Sequence, residues 1–596
     1  MPSYQAPLRD YRFLLHELLD LGQYAALPGF ADAAPDLVDA ILDEAAKLTQ
    51  EVLQPLNQIG DEQGCKLENG VVTTPEGFKA AYKTLVDGGW PALVVDPEYG
   101  GQGLPNTLGV LFNEMVSSSN MAFGMYPGLS HGVYSALHVH GSDELKKTYL
   151  PKIVTGEWTG TMNLTEPHCG TDLGLLRTKA VPQADGSYKI TGQKIFISAG
   201  EHDLADNIIH LVLARIEGGP AGVKGISLFV APKYLLKKDG SLGARNAVTC
   251  GALEHKMGIH GNATCVLNYD GATGWLVGEE HKGLRAMFTM MNEARLGVGL
   301  QGLSQSEVAY QNALAYAKDR IQGRSLTGIK APDKAADPII VHPDVRRMLL
   351  SAKAFNEGAR ALLVWTALHG DLANRSGDEK VREFGEDMMA LLTPVIKGYF
   401  TDRGFANAVE CQQVFGGHGY IDEWGMGQFV RDARIAMIYE GANGIQALDL
   451  VGRKLASNGG RGVFAFFKLI DDFIAEAGTD ETLKPFVAGL STARKDLEAA
   501  TLWFMENALT NPDNAGAGST DYLHMFGVTA LAFMWAKMAK LAAEKLAAGT
   551  QEKDFYETKI ATGRYFIDRM VPETALYLAR VRVGSASMMA LAADNF

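Results

Sequence analysis

The chain has 596 residues and a formal net charge of -14 at pH 7, with 47% hydrophobic and 21% charged residues. This length is more than one hydrophobic core supports and predicts about three to four domains. The composition is typical of a globular protein, and the negative charge argues against non-specific binding to nucleic acid or anionic lipid.

Compartment and metal content are predicted from the cysteines and the apolar segments. Five scattered cysteines form no Cys-x-x-Cys pair and no zinc-site spacing with histidine, which favours a reducing compartment and no metal site. The first ten residues have neither the basic nor the apolar region of an export signal. The longest apolar stretch, near Met525 to Ala536, is interrupted by Lys537 and is too short for a membrane span. We therefore expect a cytoplasmic protein.

Residues 1–157 are predicted to form an N-terminal helical domain. Four leucines between Leu14 and Leu19 recur on one helical face, and the run from Asp36 to Leu53 repeats this spacing. Proline and glycine mark a loop that begins at Asp96.

Residues 158–285 are predicted to form a β-barrel-like domain. Four short segments are rich in Ile and Val and are separated by Gly, Asp and Pro, as strands of a compact β-domain are. They are Tyr188–Ser198, Asn207–Ile216, Val223–Ala231 and Thr264–Val277.

The rest of the chain is predicted to be helical. A helix from Arg285 to Asp319, a linker from Leu326 to Pro343 and further helices to Arg453 indicate a four-helix bundle over residues 286–455. The glycine-rich breaker after Ser457 then separates an appended helical domain over residues 463–596. The fold class is therefore α+β and multidomain.

Glu440 is the first candidate for catalysis. It follows a helix-competent piece from Gln428 to Tyr439 and precedes Gly441, so its carboxylate could be desolvated and its pKa raised toward that of a general base. On the residue pattern alone, a solvated helix end is the favoured interpretation.

Three motifs favour the catalytic interpretation of Glu440 over the solvated helix end. Val414-Phe-Gly-Gly-His-Gly-Tyr, Val430-Arg-Asp-Ala-Arg-Ile and Ile438-Tyr-Glu-Gly, in this order, resemble the C-terminal signature of the acyl-CoA dehydrogenase family. The resemblance implies FAD-dependent α,β-dehydrogenation of an acyl-CoA, with Glu440 as the base and an electron-transferring flavoprotein as electron acceptor. The loop at Asp96 is then either a wall of the substrate pocket or a plain helix connection.

Two further motifs resemble the flavin-facing segments of the family. Met162-Asn-Leu-Thr-Glu-Pro-His-Cys-Gly-Thr-Asp implies that Thr165 bonds the flavin ring and that Thr171 stands where relatives have a phosphate-binding serine. Gly192-Gln-Lys-Ile-Phe-Ile-Ser implies that Phe196 packs on the flavin and Ser198 bonds near N5. The alternative is an ordinary alternating strand with Phe196 in the core.

The resemblance also implies contacts with the substrate and the FAD diphosphate. The implied substrate contacts are Asn292 and Arg295, at a helix start, and Gly441, while Arg320 is the implied diphosphate contact. The family usually has an aromatic residue followed by glycine where this chain has Gly323 and Arg324, and we expect Arg324 to compensate by charge.

Gln413, Gly416 and Gly417 resemble the segment that reaches the FAD of a neighbouring subunit, which implies a homodimer or a larger homo-oligomer. Ala442 and Gly444 replace a threonine and a glutamine that contact FAD in relatives.

The choice of base and the substrate each have an alternative. Some relatives carry the base on another helix, at the position of Ala294; the neighbouring Glu293 is predicted to be a solvated rim residue. The chain resembles a longer bacterial branch of the family, which implies a short sulfur-bearing substrate, 3-methylmercaptopropionyl-CoA, oxidised to methylthioacryloyl-CoA. A straight short- or medium-chain acyl-CoA is the alternative.

Two alternatives concern the class of protein. An acyl-CoA oxidase would share these motifs and pass its electrons to oxygen. A non-catalytic DNA-binding flavoprotein of the same fold would need a basic C-terminal face, whereas acidic residues outnumber basic ones after Val463. We therefore expect no nucleic-acid partner.

Overall fold

The computed structural model describes residues 2–478 and 480–596. The chain forms two compact units. The bundle unit comprises Met1–Asp43, Pro105–Glu114 and Val298–Phe596, and the β unit comprises Glu44–Leu104 and Met115–Gly297.

The first part of the chain is mostly helical. Its helices are α1 Leu8–Arg12, α2 Pro35–Lys47, α3 Leu56–Gln63, α4 Phe78–Asp87, α5 Asn106–His140 and α6 Asp143–Val154. A hairpin that the pattern analysis did not predict, β1 Lys66–Glu68 and β2 Val71–Thr73, interrupts them. Its turn is Asn69-Gly70, with φ values of 52° and 77°, a dipeptide that strongly favours a tight hairpin turn.

The middle of the chain forms a closed sheet. Its strands are β3 Trp158–Asn163, β4 Lys179–Pro182, β5 Tyr188–Ser198, β6 Asn207–Ile216, β7 Ile226–Pro232, β10 Val248–Leu253 and β11 Thr264–Val277, and a separate hairpin consists of β8 Tyr234–Leu236 and β9 Leu242–Arg245. The pairs β5–β4, β4–β6, β6–β7, β7–β11 and β11–β5 complete a ring, with β3 on β6 and β10 on β11.

Three of the four predicted strands match β5, β6 and β11 at both ends. The other strand begins at Ile226 rather than Val223, because Gly222–Gly225 forms a 3-10 turn. Ring closure leaves few free strand edges, which fits the predicted barrel-like domain.

The C-terminal part of the chain consists of long helices. They are α7 Gly283–Asp319, α8 Pro343–Arg375, α9 Glu379–Val414, α10 Met426–Ile435, α11 Asn443–Asp449, α12 Arg461–Ala477, α13 Lys484–Asn507, α14 Pro512–Ala547, α15 Lys553–Arg569 and α16 Glu573–Val583. Helices α7 and α9 cross closely, since a Cβ atom on Gly404 would lie 2.1 Å from the carbonyl oxygen of Gly302.

The appended helices belong to the same compact unit as the bundle. Trp535 of α14 is fully buried and its indole N–H donates to the carbonyl oxygen of Ala354 on α8 at 2.9 Å. By length and composition α14 could cross a membrane, but 83% of its most apolar stretch is buried inside the protein. It is therefore a core helix of this unit.

Candidate active site

Glu440 lies on a turn rather than at a helix end. Helix α10 ends at Ile435, four residues before the predicted end at Tyr439. Glu440 is half-buried with φ 57°, and Gly441 follows with φ 86°. A left-handed backbone costs a non-glycine residue about 1–2 kcal/mol, so the surrounding structure must hold this conformation, as is common at active sites.

Hydrogen bonds from the following helix hold the turn. The Gln446 side-chain N–H donates to the carbonyl oxygens of Glu440 at 3.2 Å and Gly441 at 3.1 Å. The Asn443 backbone N–H donates to the carbonyl oxygen of Met437 at 3.1 Å. These bonds fix the backbone of the turn at both ends and at its centre. The Glu440 side chain therefore leaves the backbone at a defined position.

The residue before Glu440 forms one wall of the turn. The Tyr439 hydroxyl donates to Oε1 of Gln301. Burial, and after it the neighbouring Glu440 charge, raise the pKa of Tyr439. Tyr439 is therefore a neutral hydrogen-bond donor that ties the turn to Gln301 of α7.

Phe196 of the β unit projects out of the sheet. Strand β11 pairs with β5 in a register that shifts between Cys265 and Leu267, so Ile195 and Phe196 form a bulge. Phe196 has φ 59° and is 59% exposed. A bulge re-aims a side chain, and here it turns the ring outward. The alternative that places Phe196 in the core is wrong.

The loop that carries Thr165 is fastened beside Phe196. The Ile195 N–H donates to the Thr165 carbonyl oxygen at 2.9 Å. The buried Lys194 ammonium donates to the Leu164 carbonyl oxygen and to Oε1 of Glu166, both at 2.9 Å. Sequence reasoning passed over Lys194 and Glu166, although a lysine at an inward position of an alternating strand was a usable signal.

Glu166 anchors the far end of this loop. Its carboxylate accepts from the backbone N–H groups of Arg177 at 2.7 Å and Thr178 at 3.0 Å. Although burial opposes ionisation, the Lys194 charge and these hydrogen bonds hold the pKa of Glu166 below its ordinary value. Glu166, His168 and Cys169 bring possible metal-ligand atoms within 4.8 Å of one another, but the Glu166 carboxylate is already engaged by Lys194 and the loop backbone.

Thr165, Phe196 and Ser198 converge on one end of the sheet. The Ser198 carbonyl oxygen accepts from the Thr161 hydroxyl of β3 at 2.6 Å, and Thr171 is exposed farther along the Thr165 loop. An outward-facing aromatic ring next to half-buried hydroxyls suits a flat ring system with polar edges. The residues present therefore fit the isoalloxazine of FAD.

Asn292 and Arg295 lie within α7, about two to three turns after it begins at Gly283, and not at a helix start. Arg295 donates to the Asn292 side-chain oxygen at 3.5 Å. Glu293 is 46% exposed, with an oxygen 3.9 Å from Nε2 of His131. The surrounding protein limits its hydration and raises the pKa of this carboxyl.

The predicted diphosphate contacts lie on an exposed part of the bundle unit. Gln413, Gly416 and Gly417 are exposed, and a Cβ atom on either glycine would have no neighbour within 4 Å. Phe415, which precedes Gly416, stacks on Tyr316, with ring centroids 4.2 Å apart. The glycine backbone is therefore accessible, while the stacked rings stabilise the turn beneath it.

Arg320 is exposed just after α7 ends. Arg324, in contrast, donates to Oδ1 of Asp337 at 3.2 Å and to the carbonyl oxygens of Ala331 and Lys334. The Arg324 guanidinium therefore organises its own loop.

Comparisons with known protein families cover most of the chain. Residues 37–157, 161–272 and 281–455 match the N-terminal, middle and C-terminal domains of acyl-CoA dehydrogenase. Residues 466–592 match a domain described as acetyl-CoA dehydrogenase C-terminal like.

Individual proteins match along the whole length. The chain is 44% identical over 580 residues to 3-methylmercaptopropionyl-CoA dehydrogenase of Ruegeria pomeroyi, covering 97% of this chain and 98% of the relative. It is 35% identical over 617 residues to a butyryl-CoA dehydrogenase of Syntrophomonas wolfei, covering 100% and 99%. The structure of Caenorhabditis elegans ACDH-11 in complex with C11-CoA superposes with a TM-score of 0.78 at 20% identity, over 95% of this chain and 91% of that one, and shows the same fold.

Proposed function

We propose that this chain oxidises 3-methylmercaptopropionyl-CoA to methylthioacryloyl-CoA with Glu440 as the base. The proposal starts from its family: the chain belongs to the acyl-CoA dehydrogenase family and is an oxidoreductase that uses FAD. The observation that carries the choice of base is the turn at Glu440. Two successive left-handed residues, fixed by Gln446 and Asn443, present one half-buried carboxylate at a defined position.

In this proposal Glu440 takes the α-proton of the thioester. The α-proton is weakly acidic, so the developing negative charge on the thioester oxygen needs an oriented donor; we assign this role to the backbone N–H of Glu440. Since the same residue supplies base and donor, its backbone angle sets both positions. Asn292, Arg295 and Gly441 are proposed to hold the acyl-CoA.

FAD supplies the acceptor for the hydride that leaves the β-carbon. Phe196, Thr165 and Ser198 would hold its ring, and Thr171 and Arg320 would bind its phosphate groups. Gln413, Gly416 and Gly417 would reach the cofactor of a second copy. All three are exposed, and a Cβ atom on either glycine would have no neighbour within 4 Å. We therefore propose a homodimer or a larger homo-oligomer, with an electron-transferring flavoprotein as redox partner.

The substrate has one alternative, a straight short acyl chain. The relative from Ruegeria pomeroyi supports the sulfur-bearing thioester, and the 35% identity to a butyryl-CoA dehydrogenase supports the alternative. The five cysteines are free thiols in this structure, which suits the reducing cytoplasm that we propose as the compartment.

Anaerobic bleaching of the bound flavin by a panel of acyl-CoA thioesters tests the proposal. We expect 3-methylmercaptopropionyl-CoA to reduce the flavin with a higher second-order rate constant than butyryl-CoA or octanoyl-CoA. Faster bleaching by a straight-chain thioester would overturn the substrate assignment. Rapid peroxide formation without an added acceptor would favour an oxidase, and salt-sensitive DNA binding without bleaching would favour the non-catalytic flavoprotein.

The choice of base is tested by a matched pair of substitutions. Glu440→Gln removes the base and keeps the side-chain shape, so flavin reduction should fall by at least about 10³-fold, at the upper part of the usual range for general-base removal. Glu293→Gln should retain turnover within about threefold, because Glu293 lies one helical step, about 100°, from the position of Ala294 and has no assigned part in the reaction. The opposite pattern would identify Glu293 as the base.

A further inference from the structure

We propose that Asn443, Asp402 and His524 are positioning residues, which form a polar relay that connects appended helix α14 to the turn bearing Glu440. This inference rests on the proposed role of Glu440 as the base. It assigns a part in the reaction to the C-terminal extension, in which sequence reasoning found no chemistry.

Asn443 is the centre of the relay. Its side-chain NH2 group shares its two hydrogens among three acceptors, which are Oδ1 of Asp402 at 2.7 Å, the Thr401 hydroxyl at 2.9 Å and the Gly398 carbonyl oxygen at 3.1 Å. Its side-chain oxygen accepts from the fully buried Lys397 ammonium at 2.8 Å. Four groups on α9 therefore fix this side chain. The amide cannot flip without losing these bonds, because its nitrogen faces acceptors and its oxygen faces the Lys397 donor.

Asn443 is linked directly to the catalytic turn. It stands three residues after Glu440, at the first position of α11. Its backbone N–H donates to the carbonyl oxygen of Met437, three residues before Glu440, at 3.1 Å. The turn is thus closed at Asn443, and the Asn443 side chain fastens this closure to α9.

Asp402 extends the relay to the appended helices. Its Oδ1 accepts from Asn443 and its Oδ2 lies 2.8 Å from Nε2 of His524 on α14. The His524 ring is held edge-on between Tyr399 of α9, at 5.6 Å between ring centroids, and Tyr577 of α16, at 5.7 Å. The imidazole has little rotational freedom, so it orients the carboxylate that orients Asn443.

This arrangement explains a local departure from the family pattern. The residues after the base include Ala442 and Gly444, whose side chains cannot make the FAD contacts that the resemblance implies. With those contacts absent, Asn443 supplies an anchor for the turn from within the chain. The sensitivity of catalysis to small displacements, about 10²-fold for a 1 Å shift, makes such an anchor consequential.

The test compares four variants of the FAD-loaded full-length protein. We expect Asn443→Ala and His524→Ala to lower the limiting rate of anaerobic flavin reduction by about tenfold or more, with the apparent Kd for 3-methylmercaptopropionyl-CoA changed less than about threefold. His524→Gln keeps an N–H donor and should recover most of the His524→Ala loss. Tyr565→Phe removes a hydrogen bond between appended helix α15 and Ser351 of α8 and should leave the rate unchanged.

Hydrogen exchange of the segment 437–446 gives a second measurement, independent of turnover. Its amides should exchange faster in Asn443→Ala and His524→Ala than in His524→Gln and Tyr565→Phe. The relay is refuted if wild-type protein is active, Glu440→Gln is inactive and both alanine variants have wild-type rates. It is also refuted if Tyr565→Phe loses as much activity as His524→Ala. A wild-type protein that no acyl-CoA in the panel reduces refutes instead the proposed function.

Discussion

Replacing Lys194 by methionine tests how the loop that carries Thr165 is held. The Lys194 side chain is fully buried and its charge pairs with Glu166, which is also buried. Burial lowers the pKa of Lys194 to about 8, whereas the Lys194 charge holds the pKa of Glu166 below its ordinary value. Taken alone, the shift of Lys194 implies that its charge destabilises the fold, and the shift of Glu166 implies that its charge stabilises it. Both follow from burial of the pair. Desolvation offsets much of the attraction, so the intact pair contributes little to stability, whereas removing one partner is costly.

The size of the effect follows from what Glu166 retains. Without Lys194 the carboxylate keeps the backbone N–H groups of Arg177 and Thr178. We therefore take the lower end of the range for a broken buried pair, about 3 kcal/mol. If the loop opens locally, the amides of Thr178 and Ile195 should exchange about 100-fold faster, since about 1.4 kcal/mol corresponds to tenfold.

The pH dependence has a defined sign. The pKa of Glu166 is lowered in the folded protein, so its contribution is fully present above pH 4.5 and is lost as pH falls through the folded pKa. The exchange difference between Lys194→Met and wild type should therefore shrink below about pH 4.5. Lys189→Met, on the exposed face of the same strand, is the control. Equal exchange in Lys194→Met and Lys189→Met would refute this account of the loop.

Three other substitutions probe separate features. Phe196→Ala removes a ring that is 59% exposed, and we expect FAD to dissociate about threefold to tenfold more readily in a fluorescence titration, from the loss of about 0.5–1.5 kcal/mol of stacking; unchanged affinity would contradict the flavin-facing assignment. Gly358→Ala places a Cβ atom 2.7 Å from Nε1 of Trp535, so thermal unfolding should occur at a lower temperature, by an overpacking cost of about 1–3 kcal/mol. Hydrogen bonds from the backbone N–H groups of Ser325, Ala331 and Lys330 lower the pKa of Asp337 to about 2. The loop that these bonds order should stay protected from exchange above pH 3.8 and lose protection toward pH 2, and Asp337→Asn should lose that protection at neutral pH as well.

The sequence predicted the sheet better than it predicted the turn at Glu440. Strands β5, β6 and β11 were placed to the residue, because β-branched runs between Gly, Asp and Pro are set by local preference. The helix before Glu440 was predicted four residues too long, because residues 436–439 suit a helix. The left-handed backbone of Glu440 and Gly441 and the bonds from Gln446 and Asn443 form the turn instead, and the residue pattern does not reveal them.

Some residues of the candidate site could be predicted from the sequence and others could not. Motif resemblance pointed to Thr165, Phe196 and Ser198, and the structure brings these three together. It could not point to Lys194 and Glu166, which lie 28 residues apart in the sequence and meet only in the folded sheet. The outward position of Phe196 depends on a bulge opposite β11, which strand periodicity does not reveal.

The glycines of the bundle helices show that the C-terminal extension is no removable accessory. A Cβ atom on Gly398 would lie 2.8 Å from Leu523, and one on Gly527 would lie 2.4 Å from Tyr399. Helices α9 and α14 therefore pack closely, because a glycine on each helix leaves room for a side chain of the other. A protein shortened before α12 would expose these apolar surfaces to water and should aggregate. Chimaeras that exchange this extension between relatives would accordingly have to exchange α8 and α9 with it.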